Sequence, residues 1–156
     1  NGKVFAFEPV KELAEKIREN IKLNKLNNIF VENIAVSNKN TVEKFFISKK
    51  HNGCHSIYKR DEDDEEVQIQ NMELEKYCFE KNISHIDFFK LDCEGAEYDI
   101  ILNLSPEFVS RIKRISLEYH DDITNHRHEE ITGFLRKNNF LVDCRGGYLY
   151  ALNRNY

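Results

Sequence analysis

With 156 residues, 40% of them hydrophobic and 12% aromatic, the chain is long enough to bury one full core, and a single domain over 1–156 is the default reading. A formal net charge of −4 lacks the basic excess that phosphate backbones demand, so nucleic acid is not an expected partner. No apolar run approaches the ~20 residues of a membrane span and no secretory leader opens the chain; with no C-x-x-C pair among Cys54, Cys78, Cys93 and Cys144, the expectation is a cytoplasmic protein with reduced thiols.

Val4-Phe5-Ala6-Phe7 is a continuous apolar run that ends at Glu8-Pro9, as a strand buried on both faces reads in a parallel sheet. Pro9 stops it, and Val10, Leu13, Ala14, Ile17 and Ile21 then recur at helical spacing, predicting a helix over about 10–23. Ile29 to Val36 is the next expected strand, with Asn33 interrupting its apolar pattern, and Val42 to Ile47 has the aromatic and β-branched character of another. From Ser48 the pattern dissolves, and the six acids Asp61 to Glu66 read as a solvated loop. A short strand through Val67, Ile69 and Met72 completes a β-rich insertion at about 42–70, and a helix is expected from about Glu73 to Lys81.

The stretch Ile86 to Glu97 organises the rest. Phe88 to Leu91 reads as a buried strand, Asp92-Cys93-Glu94-Gly95 as the turn leaving it, and Ala96 to Leu102 as a helix that starts at once. The carboxyl end of such a strand faces the ligand crevice of an open α/β sheet, which puts Asp92 and Glu94 where chemistry is usually done. Glu97, in the first helical turn, is read as an acid that suits the helix dipole rather than as a catalyst. Ser105-Pro106 is a break, Ile112 to Tyr119 a further strand closed by His120, and Asp121 to His128 a polar loop. A helix over about 128–138 and a terminal antiparallel hairpin, turning at Arg145-Gly146-Gly147, end the chain. The pattern predicts a largely parallel sheet with one reversed strand.

Val4 to Pro9, Asn33-Ile34-Ala35-Val36-Ser37, Ile86 to Glu97 and Glu118-Tyr119-His120 together resemble, in the right order, the FkbM-type family of S-adenosylmethionine-dependent methyltransferases. The resemblance covers nearly the whole chain and implies a Rossmann-like α/β fold, S-adenosylmethionine as cofactor and a small-molecule acceptor. It places Glu8, with Pro9 beside it, at the ribose hydroxyls, although an acid there also serves as a helix N-terminal charge. It sets Asn33, Ile34 and Ala35 along the adenine, while Asn33 read alone is equally a polar residue capping a strand end.

Methyl transfer requires a nucleophile held in line and, for a hydroxyl, removal of a proton. Asp92 is placed to orient the nucleophile or to support the amino acid part of the cofactor. Glu118 and His120, two residues apart, end the neighbouring strand on one face. His120 is the candidate general base because it titrates near neutrality, with Glu118 to orient it or contact substrate; a strand-capping role for His120 stands beside that. The candidate catalytic set is Asp92, Glu94, Glu118 and His120. His51-x-x-Cys54-His55 and the group His120, Asp121, Asp122, His126 and His128 contain ligand types but match no specific metal signature, so no metal is expected.

Members of this methyltransferase class open with a strand and a glycine-rich turn that cradles the methionine part of the cofactor, and no stretch here matches them. Three accounts fit: an upstream segment supplies the strand, the Val4 and Phe88 strands pair directly, or another chain provides it. The expected activity is O-methylation of a sugar or other small-metabolite hydroxyl; the alternative is a non-catalytic binding or assembly module, and a homo-oligomer is compatible with either. A nicotinamide oxidoreductase is disfavoured, since no G-x-G-x-x-G precedes the acidic strand end.

Overall fold

The computed structural model describes residues 2–50 and 54–156. In chain order the elements are β1 (Val4–Phe7), α1 (Lys11–Leu23), β2 (Ile29–Glu32), β3 (Ala35–Ser37), β4 (Val42–Ile47), β5 (Glu65–Glu73), α2 (Leu74–Glu80), β6 (Phe89–Leu91), α3 (Glu97–Leu102), α4 (Pro106–Val109), β7 (Arg114–Glu118), α5 (His128–Lys137), β8 (Phe140–Arg145) and β9 (Tyr148–Asn153). The class is mixed α/β, and none of these helices is long and apolar enough to cross a membrane.

The single, mostly parallel sheet expected from the pattern is corrected to three sheets. β1 pairs with β2; β3, β5 and β4 form a second sheet in that order; β6, β7, β9 and β8 form the third. The β1–β2, β3–β5 and β6–β7 ladders are parallel, whereas β4–β5, β7–β9 and β8–β9 are antiparallel. The terminal hairpin forms as the short Gly146-Gly147 turn requires, with Gly146 at φ 58°. Among the described residues β1 pairs only with β2 and β6 only with β7, so direct pairing of the Val4 and Phe88 strands is not the arrangement adopted.

Three local corrections have physical causes. The strand expected over 29–36 is two strands, because the Asn33 Nδ2 donates to the carbonyls of Glu8 (2.9 Å) and Pro9 (2.8 Å) and draws the chain out of the β1–β2 ladder. Glu65 and Glu66 belong to β5 rather than to a loop: they pair with Ile47 and Phe46, and Glu66 meets Lys44 at 2.9 Å. Ser105-Pro106 is not merely a break but the start of α4, where the Ser105 Oγ accepts from the Phe108 N–H (3.1 Å) and proline occupies a position that needs no donor.

α3 and α5 cover one face of the β6-β7-β9-β8 sheet, burying Ile101, Ile115, Leu117, Ile131, Leu135 and Leu149 almost completely. Cys78 of α2 lies in the same core, and burial pushes its thiol up to about 11. Tyr77, beside it, packs edge-on against Phe5 and Phe7 and donates to Glu32 Oε1 at 2.9 Å, tying β1 and β2 to α2. The opposite sheet face leaves Phe88, Leu141, Tyr150 and Leu152 exposed along an open groove of about 650 Å³. None of the candidate site residues lines that groove.

Candidate active site

β6 delivers Asp92 at its carboxyl end, and the chain then turns through Glu94 (φ 49°) and Gly95 (φ 105°) before α3 begins. A left-handed conformation at a non-glycine residue is uncommon, and here it sets the direction of the Glu94 carboxylate. The turn is closed by Glu97. Its Oε1 accepts from the Cys93 N–H (3.1 Å) and its Oε2 from the Gly95 N–H (2.8 Å), which leaves Glu97 wholly buried.

The same carboxylate meets the end of β7. His120 Nδ1 lies 2.7 Å from Glu97 Oε1, across 23 residues of sequence. Its other nitrogen, Nε2, lies 3.5 Å from Glu94 Oε2. The hydrogen bond to Glu97 raises the imidazole above its ordinary value; burial opposes this, and the charges of Glu97, Glu94 and Glu118 add to it. Glu118 affects His120 by charge alone, since its own hydrogen bond runs to the Tyr148 hydroxyl across the β7–β9 ladder. Glu97, rather than Glu118, is therefore the residue that orients the histidine.

A strap between β4 and β5, residues 54–64, lies over the turn. The Ser56 Oγ donates to the Glu94 carbonyl (2.6 Å), Arg60 Nη1 donates to Glu94 Oε2 (2.6 Å), and the Tyr58 ring stands against Gly95. Cys54 also reaches the Glu94 carboxylate, and burial raises its thiol. Asp92 is the more open member, with its side chain 42% exposed and Lys90 Nζ 3.2 Å from Oδ2. Ligating atoms of Asp92, Glu94 and His120 fall within 4.8 Å of one another. Arg60 and Lys90 already compensate the two carboxylates, so we read the group as a charge-balanced polar cluster.

Of the residues expected at the cofactor, Glu8, Pro9, Asn33, Ile34 and Ala35 come together around the end of β1, whereas Asp92 stands apart at the end of β6. Glu8 Oε1 accepts from the Val10 N–H at 2.8 Å, ahead of α1, while Asn33 spends its amide hydrogens on the Glu8 and Pro9 carbonyls. Ile34 leads into β3, and Ala35 packs against the small core of Val10, Phe45 and Ile69. Burial holds the Glu8 carboxyl above its usual range, against the pull of the Val10 N–H and of nearby His55. His55 thus stands near Glu8 while its neighbours Cys54 and Ser56 reach Glu94, so one segment borders both groups.

His55, His126 and His128 have structural work. His51 lies outside the described residues, and His55 Nδ1 accepts from the Ser48 N–H at 3.1 Å. Asp121 accepts from the Tyr98 hydroxyl and from the backbone and Nδ1 of His128 (2.9 and 2.8 Å). His126 stacks on Tyr98, and His128 stacks on Tyr119.

The family model described as the methyltransferase FkbM domain matches residues 1–142. The chain belongs to the FkbM methyltransferase family. The FkbM match spans both half-sites, from Glu8 to His120, and supports methyl transfer as the general activity. Among curated proteins, the AMB antimetabolite synthetase AmbE of Pseudomonas aeruginosa is 31% identical to the FkbM domain over 75 residues, covering 46% of this chain. The match takes in only 4% of that relative's length. No solved structure matches the FkbM chain.

Sequence reasoning missed Glu97, Ser56, Tyr58 and Arg60. For Glu97 a signal was present: a glutamate two residues beyond a turn glycine can fold back onto the turn's N–H groups. Nothing in the sequence pairs the strap residues with a turn more than 30 positions away.

Proposed function

We propose that this domain transfers a methyl group from S-adenosylmethionine to a hydroxyl of a sugar or other small metabolite, as a Rossmann-like unit over 1–156 with the β4–β5 segment as its insertion. The observation that carries the reading is the Glu97–His120 pair, which leaves Nε2 beside Glu94 and close to the end of β6. A hydroxyl is a weak nucleophile until its proton leaves, and a histidine held by a carboxylate is suited to take it.

The cofactor's fit rests on the chemistry of Glu8. One of its oxygens is committed to the Val10 N–H, no described residue donates to the other, and burial penalises its charge. A pair of ribose hydroxyls is the donor set that such a carboxylate lacks. Pro9, Asn33, Ile34 and Ala35 would border the base, with Asn33 offering its Oδ1. When bound, the cofactor supplies an already activated methyl group. His120 Nε2 takes the hydroxyl proton, Glu94 and Glu118 fix the acceptor's remaining polar groups, and Asp92 orients the nucleophile or holds the cofactor's ammonium. The cysteines are free, which fits a cytoplasmic setting.

Calorimetric titration of S-adenosylhomocysteine into this chain, and into a form extended upstream, tests the proposal. Micromolar binding by either, weakened at least about tenfold by Glu8→Ala and retained by His120→Asn, supports it. Folded protein that binds in neither form would overturn it and leave the alternative, a methyltransferase-like binding module.

A further inference from the structure

We infer that Glu97 is a positioning residue that fixes the proton of His120 on Nδ1 and leaves Nε2 as the acceptor, while Arg60 keeps Glu94 from engaging that second nitrogen. Its catalytic meaning rests on the methyl-transfer reading; its geometry does not.

A carboxylate can only accept, so the 2.7 Å contact makes His120 Nδ1 the donor. In a neutral imidazole the other nitrogen then carries the lone pair. Glu97 is buried from solvent, and its two oxygens also hold the N–H groups of Cys93 and Gly95, so it cannot swing away without opening the turn. This is how an orienting carboxylate differs from a surface ion pair: its position is set by the backbone.

Five charged groups surround the ring, the fifth being Asp92 at the end of β6, whose carboxylate lies within 4.8 Å of it. Glu97 comes from α3, Glu94 from the turn, Glu118 from β7, and Arg60 from the strap through its bond to Glu94. Glu94 is the rival for Nε2. Its Oε2 lies 3.5 Å from that nitrogen but 2.6 Å from Arg60 Nη1, so the guanidinium has the stronger claim on the same oxygen. Without Arg60, Glu94 would stabilise a proton on Nε2 and hold His120 in its charged form, which cannot act as a base. Arg60 thus keeps the histidine usable within a cluster of acids.

The test is a long-range proton–nitrogen correlation spectrum of the chain with labelled histidine, recorded against pH without cofactor or acceptor. Above its pKa, His120 in the unaltered protein should show the Nδ1–H tautomer; the Nε2–H tautomer would overturn the inference with no variant needed. In Glu97→Gln the His120 pKa should fall by about 1 pH unit or more and the tautomers should mix. In Arg60→Gln it should rise. A folded Glu97→Gln protein with unchanged tautomer and pKa would overturn Glu97's part, and an unchanged or lowered value in Arg60→Gln would overturn Arg60's. In turnover, Glu97→Gln should lower kcat about 100-fold with little change in KM. Absence of S-adenosylhomocysteine binding together with the Nδ1–H tautomer would sink the methyl-transfer reading and leave this inference standing.

Discussion

His120 gives the site a pH dependence whose sign can be worked out. Its folded-state pKa is raised above the ordinary value of about 6.5, first by the Glu97 hydrogen bond. The protonated ring therefore contributes stability that is fully present below that ordinary value and is lost as pH rises through the higher folded value. Thermal unfolding of the chain should show Tm falling across this window, and Glu97→Gln should flatten the fall. A Tm that rises there would contradict the assignment. The proposed role of His120 as a base needs the opposite form, so activity should climb over the same range in which this contribution to stability declines. The individual residues were unevenly legible. Asp92, Glu94 and His120 were visible because acids and a histidine at strand ends stand out against apolar runs. Glu97 was not, because the helix-dipole explanation accounts for an acid in a first turn without any tertiary partner.

At the scale of elements, the strap and the turn beneath it behave as one unit. Gly95 has φ 105°, and a Cβ there would meet Tyr58 Cε2 at 3.0 Å and Thr124 Cγ2 at 3.1 Å. Gly95→Ala should therefore cost roughly 1–3 kcal/mol and displace the strap, read as a lower urea midpoint together with changed Tyr58 fluorescence. Gly146→Ala is the control. Gly146 also has positive φ, at 58°, but nothing lies within 4 Å of its added Cβ, so only the backbone term of about 1 kcal/mol applies. Equal losses in the two variants would show that packing against Tyr58 contributes nothing. Helices α1 and α5 and the β8–β9 hairpin were readable from periodicity and turn residues. The split between β2 and β3 was not, since it depends on an amide that reaches back 24 and 25 residues to Pro9 and Glu8.

Across the whole molecule, order should be graded rather than uniform. β7 and β9 lie inside a four-stranded sheet with Ile115, Leu117, Leu149 and Ala151 buried, whereas β1 and β2, among the described residues, pair only with each other, with Val4 and Phe30 48% and 43% exposed. Native-state hydrogen exchange should find the β7 and β9 amides slower by orders of magnitude than those of β1 and β2. Similar protection in both would mean that the smaller sheet is held by more than its own ladder and Tyr77. Glu8 stands at the end of the less protected pair and His120 at the end of the better protected one. Any ligand bridging them should slow exchange chiefly on the β1 side. Local patterns showed most strands and helices but not their distribution over three sheets, because pairing partners are chosen by contacts far apart in sequence.

The buried thiol of α2 gives the molecule an internal clock. Cys78, with its ionisation pushed up to about 11, is a poor nucleophile while its helix lies against the core. An alkylating reagent must wait for that helix to lift, and Tyr77 on the same helix packs against Phe5 and Phe7 of β1 and bonds Glu32 of β2. The rate at which Cys78 is capped therefore times the separation of the strand that carries Glu8 from the rest of the protein.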